Sequence, residues 1–180
     1  HSFIHMERQI QGLFICLSGQ HEMKEDFTGF RNFFTLNFIA KPIYNAFILA
    51  SRLEGKLLRS DAEDGNICLI PTKNAAGEYA VLLAYASEYF REDIPQRTEW
   101  LEFEEDLSGK KVTVWCIDKD TTNPYRLYQK MDIGVPNREE LKLLRAEGRL
   151  KPVYEGICQG NTIPPLRLAP NGVILVTITK

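Results

Sequence analysis

The sequence predicts a mainly β protein, an antiparallel β-sandwich preceded by a β-loop-α unit. Three observations carry this. Residues 13–17 (LFICL) form a continuous apolar run, the pattern of a strand buried on both faces. Pro42 then opens IYNAFILASRL, where Ile43, Phe47 and Leu53 recur at helical spacing. After Lys56 the texture changes to short β-branched and aromatic runs separated by turn signals.

In chain order, LFICL is the first expected strand and the polar stretch SGQHEMKEDFTG a loop. An aromatic segment, FRNFFTLNFIA, leads to a helix from Pro42 to Leu53, with Gly55 as its C-terminal cap. NICLIPTK, a turn at NAAGE, and YAVLLAYASEY follow as strands. RTEWLEFEEDL, KKVTVWCID, PVYEGICQ, LRLA and VILVTITK continue the series, with alternation clearest at Val112, Val114 and Cys116. LAPNGVILVTI reads as strand, Pro-Asn-Gly turn and strand, the signature of a hairpin. One helix interrupts the strands at about 137–147: Asn137 caps it, Glu139 and Glu140 suit its positive end, and Gly148 stops it. The expected division is 1–55 and 56–180.

Composition bounds the function. At 180 residues, 44% hydrophobic and 26% charged, the chain reads as a globular domain, and no apolar stretch approaches the roughly 20 residues of a membrane helix. With 22 basic and 24 acidic residues and no dense basic cluster, a nucleic-acid partner is not expected. Cys16, Cys68, Cys116 and Cys158 are scattered in apolar runs, which predicts reduced, buried thiols rather than a zinc site. No cofactor or metal is expected. The start at HSFIHMERQIQG carries no signal peptide and no Met, which reads as a fragment of a longer bacterial protein in the cytoplasm.

No residue constellation names an active site. The acidic clusters Asp61/Glu63/Asp64 and Glu102/Glu104/Glu105 read as solvated surface. His21, just past an expected strand end, lacks Ser, Cys or Asp at catalytic spacing. Gly109-Lys110-Lys111 lacks the glycines of a phosphate loop. Trp115, inside VTVWCI, is expected in the core, whereas Trp100, or Tyr89 and Phe90, could form a sugar-stacking platform.

Three ordered segments nonetheless resemble the C-terminal part of family-39 glycoside hydrolases, the group of β-xylosidases and α-L-iduronidases. They are FTGFRNFFTLNFIAKPIYNAFILASRL, IDKDTTNPYRLYQKMDIGVPNREELKLLRAEGRL, and PPLRLAPNGVILVTI. The resemblance implies that LFICL is the eighth strand and Pro42–Leu53 the eighth helix of a (β/α)8 barrel, with an accessory sandwich after it. It further implies that the two glutamates of a retaining mechanism lie upstream of His1, so that no catalytic residue falls in this chain. The matching sugar-facing stretches are Phe14 to Gln20 and Phe27-Thr28-Gly29-Phe30; they lack the family's Trp and Asp, and the His and second Gly of its loop. The candidate sugar contacts are therefore Gln20, His21, Thr28 and Trp100, toward a xylose-type saccharide.

The leading expectation is a non-catalytic accessory region partnered by the barrel of its own parent chain. The alternatives are a sugar-sensing module of an AraC-type regulator and an independent carbohydrate-binding sandwich. A barrel remnant with exposed edges also predicts self-association through residues 1–55, leaving a monomeric sandwich when they are deleted.

Overall fold

The computed structural model describes residues 21–29, 32–60, 65–87 and 94–180. The expected strand at 13–17 lies outside them, as do Cys16, Gln20, the acidic cluster at 61–64, Tyr89 and Phe90. The elements are α1 (Pro42–Ala50), β1 (Lys56–Leu57), β2 (Ile67–Lys73), β3 (Tyr79–Tyr85), β4 (Arg97–Glu99) and β5 (Lys111–Ile117). They continue with α2 (Pro124–Met131), α3 (Arg138–Glu147), β6 (Pro152–Ile157), β7 (Leu166–Leu168) and β8 (Val173–Thr179). The fold is mainly β, built on a six-stranded sheet of order β1-β2-β3-β8-β5-β6 whose pairings are all antiparallel. β4 and β7 form a separate two-stranded sheet.

The register explains the core. Cross-strand rows Tyr79–Ile178–Val112, Val81–Val176–Val114 and Leu83–Ile174–Cys116 run along one face of the large sheet. Leu107, Cys158, Ile163, Leu166 and Leu168, from the smaller sheet and its loops, pack into the same cluster. The opposite face carries the rows Leu82–Leu175–Trp115 and Ala84–Val173–Ile117. There Leu49 of α1, with Ala46, Leu53 and Leu150, closes a second cluster. Alternation of period two thus buries Val112, Val114 and Cys116 as their spacing predicts.

Several local readings hold. Asn74 closes the turn at 74–78: its side-chain oxygen accepts from the Ala76 and Glu78 amides, and Gly77 supplies a left-handed φ of 80°. Asn137 and Glu140 form a reciprocal capping box at the start of α3, and Gly148 ends it. Cys68, Cys116 and Cys158 are buried and free.

Others are corrected. α1 stops at Ala50 with Ser51 as its cap, so Gly55 is not the helix stop. Gly55 sits at φ 90°, where a Cβ would come within 2.2 Å of the Lys73 carbonyl oxygen; its task is the close pass that brings the chain to β2. The insertion contains two helices rather than one. α2 is short: Pro124 stands in its first turn, and after eight residues Asp132 takes a left-handed φ of 49°. In RTEWLEFEEDL only Arg97–Glu99 is strand; the remainder is irregular, held by Phe103 N donating to Asn161 O and Leu107 N to Gly160 O. The Pro-Asn-Gly turn exists, with Asn171 at φ 56°, but β7 and β8 do not form a hairpin. The turn docks on the end of β3, Asn171 N donating to Tyr85 O and Tyr85 N to Gly172 O, and this sends its two strands into different sheets.

The described residues before Lys56 are built into this core. Buried Asn45 of α1 donates to the Gly148 carbonyl at 2.8 Å, while Arg145 of α3 donates to Asn37 O at 2.9 Å. Phe33 and Phe34 pack against Tyr44, and Phe33 also against Phe47. Trimming the chain to 56–180 would bare Leu175, Ile117 and Trp115, so a self-contained sandwich is not the expected product. Asn45→Ala strands a buried carbonyl and should cost about 1–3 kcal/mol in urea unfolding. An unchanged midpoint would show that α1 is not held at this point.

Candidate functional site

The structure places the described candidate residues in two regions. His21 and Thr28 belong to the segment before α1; Trp100 follows β4. Trp100 lines a groove whose lining includes neither His21 nor Thr28.

In the first region the backbone enters α1 through a loop fastened by charge. Glu22 is fully buried, and its carboxylate accepts from Lys41 Nζ at 2.9 Å and from the Phe27 amide. Lys41 Nζ also donates to Asn32 Oδ1 at 2.9 Å. Asp26 accepts from the backbone and side-chain nitrogens of Asn37 at 2.8 and 2.6 Å. A buried pair of this kind fixes geometry more than it stabilises, since desolvation offsets much of its attraction. Both Glu22 oxygens are engaged, so this carboxylate is a clasp rather than a poised acid. His21 stacks on Phe38 with centroids 5.2 Å apart and planes at 26°, and Thr28 is exposed. In the sequence Glu22 and Asp26 belong to a polar stretch that reads only as a loop. Their pairing spans up to 19 residues and has no local signature.

Trp100 is 70% exposed on the rim of a groove of about 1500 Å³. The floor is the inner face of β2 and β3, with Leu69, Pro71, Val81 and Leu83; Leu101 and Phe103 form a wall. One end is closed by a polar cluster. Lys73 Nζ donates to Tyr79 Oη at 2.9 Å and to both Glu105 oxygens at 3.0 Å, and Lys110 Nζ reaches Glu105 at 3.2 Å. The Tyr79 hydroxyl, then the Lys73 and Lys110 ammonium groups, hold the Glu105 carboxyl down at about 2. The same contacts raise Lys73, and burial raises Tyr79. Glu102 accepts from Asn161 Nδ2 at 3.1 Å. These carboxylates are engaged with donors rather than paired across a cleft as acid and base.

Trp115 is half-buried in the helix-side cluster, with the Arg52 guanidinium 4.4 Å over its ring. The three described thiols are not poised for reaction. Burial first, then the Asp118 carboxylate, pushes Cys116 up to about 12, and burial raises Cys68 and Cys158. Among the described residues no three His, Cys, Asp or Glu side chains converge as a metal site, and no helix is long and apolar enough to cross a membrane.

No model of a known protein family matches the sequence, and no curated protein matches it. Solved structures do share the fold. A monomeric β-xylosidase from Caulobacter crescentus CB15 superposes with a TM-score of 0.72 over 87% of this chain and 34% of its own, at 17% identity. A GH39 (glycoside hydrolase family 39) enzyme from Xanthomonas axonopodis pv. citri gives 0.68 over 86% and 33%, at 15% identity. The bacterial orthologue of human α-L-iduronidase gives 0.67 over 78% and 27%, at 17% identity. The chain thus has the fold of a region of family-39 enzymes and spans about a third of their length.

The Glu105 cluster predicts a pH dependence. A carboxyl depressed from 4.5 to about 2 adds stability that is complete above 4.5 and is lost as pH falls toward 2. Its side chain is 41% exposed, so the contribution is screened and shrinks in high salt. Glu105→Gln should make the acid limb of a stability–pH profile shallower in that window. Parallel limbs for the two proteins would show that the cluster does not couple to folding.

Proposed function

We propose that this chain is the C-terminal accessory region of a family-39-like glycoside hydrolase of the β-xylosidase type, and that its role is to support the catalytic barrel rather than to cleave a bond. The carrying observation is that 87% of the chain takes the fold of 34% of a β-xylosidase. The order of the three resembling segments agrees with it. In this reading residues 1–55 supply the last β/α unit of the barrel and residues 56–180 the accessory module. α1 joins them: it belongs to the first by sequence and closes the core of the second through Leu49.

The chemistry fits a supporting role. Retaining hydrolysis needs two carboxyl groups about 5 Å apart across a sugar ring. Here Glu22, Asp26, Glu102 and Glu105 accept from neighbouring amides, ammonium groups or side-chain amides. Catalysis is assigned to glutamates of the parent upstream of His1. The barrel is the proposed partner, and a xylose-type saccharide the proposed substrate of the whole enzyme.

The test is to read the parent frame upstream of His1 and assay the parent and this chain on an aryl β-xyloside. The expected result is two glutamates at the ends of barrel strands four and seven, hydrolysis by the parent, and none by residues 1–180. Absence of either glutamate, with a helix-turn-helix in its place, would move the chain to the sugar-sensing reading. Retention of the isolated chain by soluble xylan, abolished by Trp100→Ala, would make it a carbohydrate-binding module instead.

A further inference from the structure

We infer that Phe38, backed by His21, is a stacking platform for a pyranose ring of the substrate at the mouth of the parent's barrel. The inference rests on the reading above, in which residues 1–55 supply the last β/α unit of that barrel.

The backbone comes first. Phe38 takes a left-handed φ of 56°, which glycine adopts freely and a bulky side chain adopts only at a cost. Thr35 closes the turn around it. Thr35 N donates to Ile39 O and Phe38 N to Thr35 O, each at 3.0 Å, and Ile39 N donates to Thr35 Oγ1 at 3.2 Å. Thr35 and Ile39 are fully buried, and Asp26 holds Asn37 from its backbone and side-chain nitrogens. This frame imposes the left-handed position on whatever residue stands there, and glycine would fill it without strain.

The ring comes second. Among the described residues Phe27 is the other phenylalanine with a left-handed φ, at 61°. Its ring packs on Tyr125 and Tyr128 with centroids 5.6 and 5.0 Å away, so contacts within the fold account for that side chain. Nothing comparable accounts for Phe38. It is 64% exposed, and among the described residues its ring stacks only on His21. His21 is brought there by its bridge to Phe34, which in turn bridges Ala40. The imidazole covers one face of the Phe38 ring and leaves the other open. A large aromatic held out of the core by a locked turn, where glycine would be more stable, marks recognition rather than packing.

Place and chemistry give the ligand. His21 and Phe38 lie on the connection between the expected strand at 13–17 and α1, which is a βα loop. In (β/α)8 barrels these loops build the active site at the C-terminal face. A pyranose presents an apolar C–H face that an aromatic ring can cover, and hydroxyls on its rim that an imidazole nitrogen can meet.

Calorimetric titration of the parent protein with a thio-linked xylobiose, which resists hydrolysis, reads binding, and urea unfolding of residues 1–180 reads packing. Phe38→Gly should weaken binding roughly tenfold. The same substitution should raise the urea midpoint, because it relieves strain and removes no buried ring. Phe38→Tyr keeps the ring and should bind like the unsubstituted parent. Unchanged binding by Phe38→Gly, a lowered midpoint, or no binding by the unsubstituted parent would overturn the inference. So would a loss in Phe38→Tyr as large as in Phe38→Gly. The aryl-xyloside assay is read separately. Binding that depends on Phe38 in a parent without hydrolysis keeps the platform and removes the hydrolase reading, and an active parent indifferent to Phe38→Gly does the reverse.

Discussion

Burial of β8 on both faces is the constraint from which the rest of the molecule follows. Ile174 is 2% exposed, and Leu175, Val176 and Ile178 are fully enclosed. A strand without a solvent face at the centre of an antiparallel sheet needs cover on both sides. α1 provides it on one side through Leu49, and the smaller sheet provides it on the other through Leu166 and Leu168. Each enclosed aliphatic side chain is worth about 1.5–3 kcal/mol relative to exposure. Few positions could matter more to the fold. The helix near the start of the described chain and its last strand therefore belong to one core.

Much of this was legible where the signal is local. The period-two pattern of Val112, Val114 and Cys116 marked β5, and Asn137 with Glu140 marked the start of α3. Asn74 and Gly77 marked the β2–β3 turn. What could not be read depends on distant partners. The Pro-Asn-Gly turn has the residues of a hairpin, and only its docking on Tyr85 directs β7 and β8 to different sheets. α2 lacked a long periodic stripe, and Gly55 owes its identity to the Lys73 backbone rather than to the helix before it.

The same division applies to function. Trp100 was legible as a residue without a clear core role, and it is exposed on the groove. The Glu22–Lys41 clasp was not legible, because polar residues in a loop give no sign of which will be enclosed. Two described carboxylates hold loops and strands in place: Glu22 fastens the entry to α1, and Glu105 ties Lys73 and Lys110 at one end of the groove. The likeness to solved structures is one of fold, to a region of family-39 enzymes.

The most direct measurement is a double-mutant cycle between α1 and the central strand, Leu49→Ala and Leu175→Ala, each alone and together, followed by urea unfolding. If α1 is an integral wall of the core, the two substitutions should be non-additive by about 0.5–3 kcal/mol, with one cooperative transition throughout. Additive costs, or a separate early transition removed by Leu49→Ala, would contradict the account and make the segment before Lys56 an appendage of the sheet.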